Sequence, residues 1–271
     1  MLSDITIGQY YRADSIVHRL DARIKIIVTI LFLVIIFLCK NFLSLGLMFV
    51  LVLVSVAVSK VPFKMFLKNL KPIIPIIIFT AVINVLYIKD GPALISFWKI
   101  TITQKAVFTA LFMMVRIICL IVSSSILTYT TSPTMLTDAI ERLMSPLKII
   151  HVPVHNLAMM MTLALRFIPT LIEEIERITN AQKARGADLE NGKLMQRIKA
   201  MLPILIPLFV SAVSRAYELA YAMMCRCYKG GDGRTRMKNM KITFKDYVVI
   251  FIFAVSTVGV ILLNKYFGAV I

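Results

Sequence analysis

Residues Arg166 to Gly186 read RFIPTLIEEIERITNAQKARG, the pattern of one long helix that leaves an apolar run and ends on a cation. The apolar run Leu157 to Leu165 continues the helix on its N-terminal side. Pro169 removes one backbone donor and is expected to kink it. Gly186 is the residue type found just past a helix C-terminus, which places Arg185 in the last turn, at the negative end of the helix dipole.

A second segment repeats this arrangement. Residues Leu202 to Gly231 read LPILIPLFVSAVSRAYELAYAMMCRCYKGG; Pro207 interrupts an apolar helix, Arg226 lies near its end, and glycines stop it. The distance from proline to arginine differs between the segments by about one helical turn. One such arginine would only complete a helix end, but two similar tips indicate a partner with two similar sockets. Arginine suits an acidic socket because its planar fork can bind both oxygens of a carboxylate.

Acidic residues follow the proline of the first helix. Glu173, Glu174 and Glu176 lie beyond Pro169, and Arg177 stands four residues after Glu173. A glutamate four residues before an arginine is a favourable pair on a helix surface, so the spacing predicts a Glu173–Arg177 ion pair.

The composition is that of a polytopic membrane protein. The chain has 271 residues, of which 59% are hydrophobic, and its mean hydropathy is +0.85, far above that of a soluble domain. The formal net charge is +17, from 31 Lys and Arg against 14 Asp and Glu. Basic cytoplasmic loops near anionic headgroups account for this excess. No groove-reading motif accompanies the charge, so no nucleic-acid partner is predicted.

The apolar runs predict an all-α membrane protein with about five transmembrane helices. Lys40 and Asn41 divide the first two runs, which indicates a tight hairpin because one helix through both would be too long for a single crossing. The predicted division is an N-terminal membrane bundle over residues 1–130 with spans at about 26–39, 42–58, 73–88 and 106–129, cytoplasmic or interfacial coupling helices over 131–246, and a last transmembrane helix in 247–271.

The basic residues predict the orientation in the cell membrane. Four lysines crowd the short loop from Lys60 to Lys71, and the region from Thr131 to Asp246 is also basic, whereas the loop Lys89 to Lys105 is less so. By the positive-inside rule the N-terminus, the lysine loop and the large basic region face the cytoplasm.

Two charged positions each have two interpretations. Arg116 lies deep in the fourth run, where an arginine marks a functional polar contact by default, or else snorkels or binds serines or backbone carbonyls across a helix pair. Asp21, just before the first run, belongs either to a solvated interfacial anchor or to a specific ion pair with an arginine elsewhere in the chain.

The sequence contains no catalytic or metal-binding motif. The transmembrane runs hold no carboxylate or histidine, and the chain lacks a P-loop, an H-E-x-x-H and a G-x-S-x-G pattern. Cys225 and Cys227 form a C-x-C without further ligands at metal-site spacing, and Pro153 separates His151 from His155. We therefore predict neither an enzyme nor a secondary transporter, and no catalytic, cofactor-binding or metal-binding residue in this chain.

Four blocks of sequence carry a resemblance to a known family. The chain resembles, over nearly its whole length, the transmembrane T component of energy-coupling factor transporters, the vitamin and micronutrient importers of prokaryotes. It is most similar to the shared T subunit that serves several substrate-binding S components. The blocks are GQYYRADSIVHRLDARIK (8–25), TSPTMLTDAIERLMSPLK (131–148), VPVHNLAMMMTLALRFIPTLIEEIERITNAQKARGAD (152–188) and AYAMMCRCYKGGDGRTR (220–236).

The resemblance implies a role for both helix tips. In the family, two Ala-Arg-Gly motifs at the ends of the coupling helices insert into grooves on two ATPase subunits. The matching residues are, for the intact first motif, Ala184, Arg185 and Gly186 and, for the altered second motif, Cys225, Arg226 and Cys227.

The second motif departs from the family pattern. Met224 stands where the family commonly has a glutamate, and Cys227 stands where it has the glycine. Cysteine tolerates a left-handed backbone less well than glycine. We therefore expect the second helix to continue through Cys227 and to stop at Gly230, while Arg226 keeps the socket contact.

The function that the resemblance implies is energy coupling in an ATP-driven importer. Two ABC ATPase subunits bind ATP and Mg²⁺, an S component holds the substrate and tips over in the membrane, and this chain relays motion between them, surrounded by membrane lipids. One alternative is a conventional permease subunit of an ABC importer, which would line its own substrate path. Another is a membrane enzyme that uses Arg116 and the basic loop Gly230 to Lys245 on lipid phosphates.

Overall fold

The structure is a computed structural model that describes residues 9–88, 93–97, 100–187, 194–230 and 242–266. The described residues fall into two compact units. The first unit holds residues 9–136 together with 242–266, and the second holds residues 137–230. The helix at the C-terminal end thus belongs to the same unit as the N-terminal helices.

The first unit is built from six helices and one short hairpin among its described residues. Its α-helices are α1 (Ala22–Leu38), α2 (Phe42–Ser59), α3 (Phe63–Leu70), α4 (Ile74–Tyr87), α5 (Gln104–Thr130) and α9 (Phe244–Tyr266), and the antiparallel strands β1 (Ala93–Phe97) and β2 (Ile100–Thr103) join α4 to α5. A 3-10 turn, Lys71–Ile73, links α3 to α4. In the second unit, α6 (whose first turn lies in the first unit) covers Pro133–Leu143, α7 Val154–Ala184 and α8 Leu194–Cys225.

The helix break predicted at Lys40 and Asn41 is present. α1 ends at Leu38, and Asn41 is the N-cap of α2, with its backbone N–H donating to Ser44 Oγ at 3.3 Å. The Asn41 amide also donates to Leu263 O at 3.1 Å, which ties the break to the end of α9. Polar residues at this point therefore stop one apolar helix and start the next.

Five helical segments in the described part of the chain are long and apolar enough to cross a membrane, so the predicted all-α polytopic class is confirmed. The five are Phe42–Ser59, Phe63–Tyr87, Gln104–Thr130, Ile198–Cys225 and Phe244–Tyr266. α1 is absent from this set because, at 17 residues, it is one residue shorter than α2, the shortest helix of the set. α8 joins the set although the sequence pattern predicts a coupling helix, so length and composition alone do not separate α8 from the spans.

α5 is the central helix of the first unit and packs against α1, α2, α3 and α4. Its Phe112, Cys119 and Tyr129 are fully or almost fully buried. The rings of Phe42 and Phe112 meet edge to face at 5.3 Å, as do those of Phe66 and Tyr129. Such aromatic pairs add to the burial of apolar surface, so each end of α5 is held by packing.

A buried carboxylate joins α9 to α1. Asp246 is fully buried and accepts two backbone hydrogen bonds, from Asp21 N at 3.0 Å and from Thr243 N at 2.7 Å. Asp21 in turn caps α1 and forms an ion pair with Arg23 at 2.6 Å. Neither interpretation of Asp21 holds as stated: its side chain is buried and ion-paired, but its partner Arg23 is two residues away and not elsewhere in the chain.

Lys25 closes the same end of the unit. Its Nζ is buried and donates to Thr130 O at 3.0 Å, at the end of α5. Together with the Asp246 contacts, this bond fixes the start of α1 against the end of α5 and the start of α9.

Replacing Asp246 by asparagine is expected to destabilise the first unit. An amide keeps one oxygen, so one of the two backbone N–H donors loses its acceptor in a buried place, a change worth about 1–3 kcal/mol. Thermal unfolding of the detergent-solubilised chain measures the loss. Asp14→Asn is the matched control because the Asp14 carboxylate is 89% exposed. An equal unfolding temperature for the two variants would contradict the capping role of Asp246.

Candidate functional site

The two long helices of the second unit contact one another in opposite directions. Arg215 of α8 donates to Glu174 of α7 at 2.9 Å. The Gln182 side chain, nearer the end of α7, donates to Pro203 O at 3.4 Å, nearer the start of α8. Because α7 has 31 residues and is about 46 Å long, this antiparallel pairing puts the C-terminal tips of α7 and α8 at opposite ends of the pair.

The first tip ends in a Schellman motif, in which the last carbonyls of a helix are satisfied by the two residues that follow it. Gly186 has a left-handed φ of 84°. Its N–H donates to Lys183 O at 3.0 Å, and the N–H of Ala187 donates to Gln182 O at 3.0 Å. This pattern makes Arg185 the C-cap, the residue at which the chain leaves the helix.

The second tip has the same hydrogen bonds at equivalent positions. Cys227 has a left-handed φ of 56°, and its N–H donates to Met224 O at 2.9 Å. The N–H of Tyr228 donates to Met223 O at 3.1 Å. Arg226 therefore stands in the same C-cap position as the arginine of the first tip.

The expectation that the second helix continues through Cys227 to Gly230 is wrong. α8 ends at Cys225, and Cys227 adopts the left-handed conformation that the family's glycine would take. A left-handed residue with a side chain costs roughly 1–2 kcal/mol. The capping hydrogen bonds, together with the contacts of the Tyr228 hydroxyl with His155 and Met159, offset that strain.

Tyr228 anchors the second tip to the start of α7. Its hydroxyl lies 3.0 Å from Met159 Sδ and 3.3 Å from His155 Nε2. The other ring nitrogen of His155 lies 3.1 Å from a carboxylate oxygen of Glu141 on α6. Sequence spacing could not reveal this cluster, because Glu141 and Tyr228 lie 14 and 73 residues from His155.

All six residues of the two predicted motifs are exposed, and the structure places them at the two tips rather than together. They are Ala184, Arg185, Gly186, Cys225, Arg226 and Cys227. Within the described ranges, neither guanidinium group of the two tips forms an ion pair or a hydrogen bond. Both arginines are thus available to a partner.

The predicted Glu173–Arg177 pair is wrong. Arg177 lies 3.9 Å from Glu174, three residues away, and Glu173 is exposed. Glu174 is the better partner because Arg215 holds its carboxylate at 2.9 Å between α7 and α8. A cross-helix contact of this kind leaves no trace in the spacing of one helix.

Arg116 lies apart from both tips in sequence and belongs to the first unit. One of its terminal nitrogens donates to Cys39 O at 2.5 Å, and its guanidinium lies 4.7 Å from the centre of the Phe112 ring. Of the interpretations of Arg116, the structure therefore shows the bond to a backbone carbonyl outside its own helix. In this position Arg116 satisfies the chain end just beyond α1.

In the described part of the chain, no three His, Cys, Asp or Glu side chains come together as metal ligands. The four cysteines are free thiols, two buried and two exposed at the second tip. The exposed groups at the tips that could bind a partner are the guanidinium groups of Arg185 and Arg226, which suit an anionic partner.

Comparison with known proteins gives the family. A family model described as cobalt transport protein matches residues 13–237. The chain is 47% identical over 267 residues to the energy-coupling factor transporter transmembrane protein EcfT of Ruminiclostridium cellulolyticum, covering 98% of this chain and 100% of the relative. It is 48% identical to EcfT of Clostridium kluyveri, covering 92% of each chain, and 42% identical to EcfT of Bacillus subtilis, covering 92% and 94%.

The chain belongs to the EcfT family. It is therefore a multi-pass membrane component of a transporter, as its apolar helices also indicate. Membership in this family supports the energy-coupling interpretation over a conventional permease subunit and over an enzyme that acts on lipid phosphates.

Restoring a glycine at the second tip is expected to stabilise it. Cys227→Gly removes the left-handed strain and should raise the local free energy of opening by about 1 kcal/mol. Hydrogen exchange of the peptide around residues 222–230 measures this change. Cys225→Gly is the matched control with the opposite sign, because a glycine inside the last helical turn is less favourable than a cysteine by roughly a few tenths of a kcal/mol. Slower exchange in both variants would contradict the assigned cap.

Proposed function

We propose that this chain is the coupling subunit of an energy-coupling factor importer and that Arg185 and Arg226 dock into two ABC ATPase subunits. The observation behind this proposal is that two different sequences, one with glycine and one with cysteine, end their helices in the same Schellman motif. Each has an exposed arginine at the C-cap that pairs with no residue the structure describes. Equal geometry at two helix ends fits two equal sockets. ATP and Mg²⁺ belong to the ATPases in this proposal, and the chain itself holds neither.

The antiparallel pairing of α7 and α8 supports two separate sockets. Since the tips lie at opposite ends of a helix pair about 46 Å long, one small socket cannot receive both arginines. Two ATPase subunits side by side offer two sockets at such a separation. When nucleotide binding changes the distance between the subunits, the tips have to follow.

An exposed apolar stripe that winds along α8 supports the proposed contact with a membrane-embedded S component. Large hydrophobic side chains recur every four residues on this helix and stay exposed, although the helix is long and apolar. An exposed stripe of this kind suits packing against other apolar helices. The residues are Leu205, Phe209, Val213, Tyr217 and Tyr221.

The ion pair between the helices makes them move together. Glu174 and Arg215 are both partly buried, with 16% and 33% of their side chains exposed, so their charge-assisted bond is stronger than a surface pair. Rigid helices joined in this way act as levers, which turn a displacement at a tip into a change of packing elsewhere. The proposed cargo is a vitamin or another micronutrient held by the S component. The proposed setting is the cell membrane with the N-terminus in the cytoplasm.

Reversing the charge of either tip is expected to weaken binding of the ATPases. A detergent pull-down with the two ATPase subunits compares wild type with Arg185→Glu, Arg226→Glu and the double variant. Because a glutamate repels an acidic socket, each single change should reduce recovery about tenfold or more, and the double change should abolish it.

Arg177→Glu is the control for this pull-down. Arg177→Glu reverses the same charge on α7 as Arg185→Glu does. Its side chain is 74% exposed but lies two turns before the tip. An equal loss for Arg177→Glu and Arg185→Glu would show that general surface charge, and not the tip, carries the binding.

Neutralising Glu174 is expected to uncouple hydrolysis from transport. Glu174→Gln weakens the bond between α7 and α8 but leaves both tips unchanged. In proteoliposomes with the complete complex, ATP hydrolysis should persist while substrate uptake per ATP falls several-fold. Glu173→Gln, one residue away and exposed, should leave that ratio unchanged. If Glu174→Gln takes up as much substrate per ATP as wild type, the ion pair has no part in coupling.

A further inference from the structure

The first unit contains an apolar groove that the coupling function does not use. The groove has a volume of about 540 Å³ and lies between α1, α2, α5 and α9. Aliphatic and aromatic side chains from all four helices form its walls, among them Val28, Phe32, Val52, Ile126, Val248 and Phe253. Water gains little in such a space, whereas a hydrocarbon chain buries its surface there.

One end of the groove opens into a charged mouth. A second cavity of about 410 Å³ shares Ile16, Val58 and Lys245 with the groove, so the two spaces adjoin. Arg19 and Lys60 also line this second cavity, together with one acid, Asp14. Because Asp14 lies 3.5 Å from Arg19 and pairs with it, the mouth keeps the positive charge of its two lysines.

The position of the two lysines is set by the fold. Lys60 is the left-handed C-cap residue of α2, with a φ of 55°, and Lys245 lies in the first turn of α9. Both are exposed, and they lie at the bundle end where Lys25 and Asp246 fix α1, α5 and α9 to one another. The mouth is therefore a rigid part of the bundle rather than a free loop.

An apolar channel with a cationic rim matches one kind of ligand. We propose that this groove binds a phospholipid with an anionic headgroup, one acyl chain lying between α1, α2, α5 and α9 and the phosphate meeting Lys60 and Lys245. Electrostatic attraction to the headgroup and burial of the chain act at the two ends of the same molecule. This inference concerns the first unit and does not depend on the docking of the arginine tips.

Native mass spectrometry of the purified chain tests this site. The protein is reconstituted with equal amounts of phosphatidylglycerol and phosphatidylcholine, extracted in mild detergent, and the lipids that remain bound are counted. Wild type is expected to retain one phosphatidylglycerol. The double variant Lys60→Gln with Lys245→Gln should bind phosphatidylglycerol at least about tenfold more weakly, because each lysine near a headgroup adds attraction.

The double variant Lys64→Gln with Lys68→Gln is the matched control. It removes the same charge from exposed lysines of α3 that do not line either cavity. Equal loss in both double variants would mean that only general surface charge attracts the lipid, which overturns the site. Equal retention of the two lipids by wild type would also overturn it, because the mouth would then have no headgroup preference.

A bulky side chain in the groove provides a second test of the lipid site, one that does not change any charge. Val28→Trp should expel the bound lipid and leave the lysines in place, and its monodisperse elution in size-exclusion chromatography shows that the chain is folded. If a photo-crosslinker at Ser55, a groove residue, captures a protein subunit in the complete transporter instead of lipid, the groove is a protein interface and the proposal fails.

Discussion

The requirement that a helix satisfy its last carbonyls shapes both arginine tips of this molecule. At both tips the chain turns into the left-handed region one residue after an arginine, and two backbone bonds close the helix. That closure points the arginine away from the helix at its C-cap and leaves it exposed. At the second tip the same closure is present although Cys227 has a side chain. The two tips therefore share their backbone geometry although a glycine stands at one and a cysteine at the other. The Tyr228 hydroxyl, against His155 and Met159, adds the local support that a cysteine needs there.

The two units solve different physical problems. The first unit packs apolar helices around α5 and uses a few buried polar groups, Asp246, Lys25 and Arg116, to satisfy backbone groups where helices begin and end. Such groups fix positions because an unpaired buried donor or acceptor is expensive in a membrane. The second unit has little buried surface and long exposed helices, joined at Glu174 and Arg215. Under the proposed function, the bundle stays in the membrane while the helix pair carries the motion of its tips.

Sequence patterns predicted the features that depend on local rules. The helix end at Gly186, the break at Lys40 and Asn41, and the two arginine tips follow from residue types at fixed offsets, and the resemblance added the family. Patterns failed where distant residues decide. The partner of Arg177 is Glu174, whose carboxylate is held by Arg215, 38 positions later. The left-handed Cys227 is followed by Tyr228, whose hydroxyl contacts another helix. The apolarity of α8 is visible in the sequence, but composition alone does not distinguish a membrane span from a helix that packs against a membrane partner.

The central claim is that both tips engage ATPase subunits at the same time, and site-specific photo-crosslinking tests it most directly. A crosslinker is placed at Ala184 and a second one at Cys225, each next to its arginine, in the assembled complex. The account predicts that the doubly labelled chain captures two ATPase subunits, and that each singly labelled chain captures one. A doubly labelled chain that never captures more than one ATPase would contradict the account, because the two helix ends would then not serve two sockets.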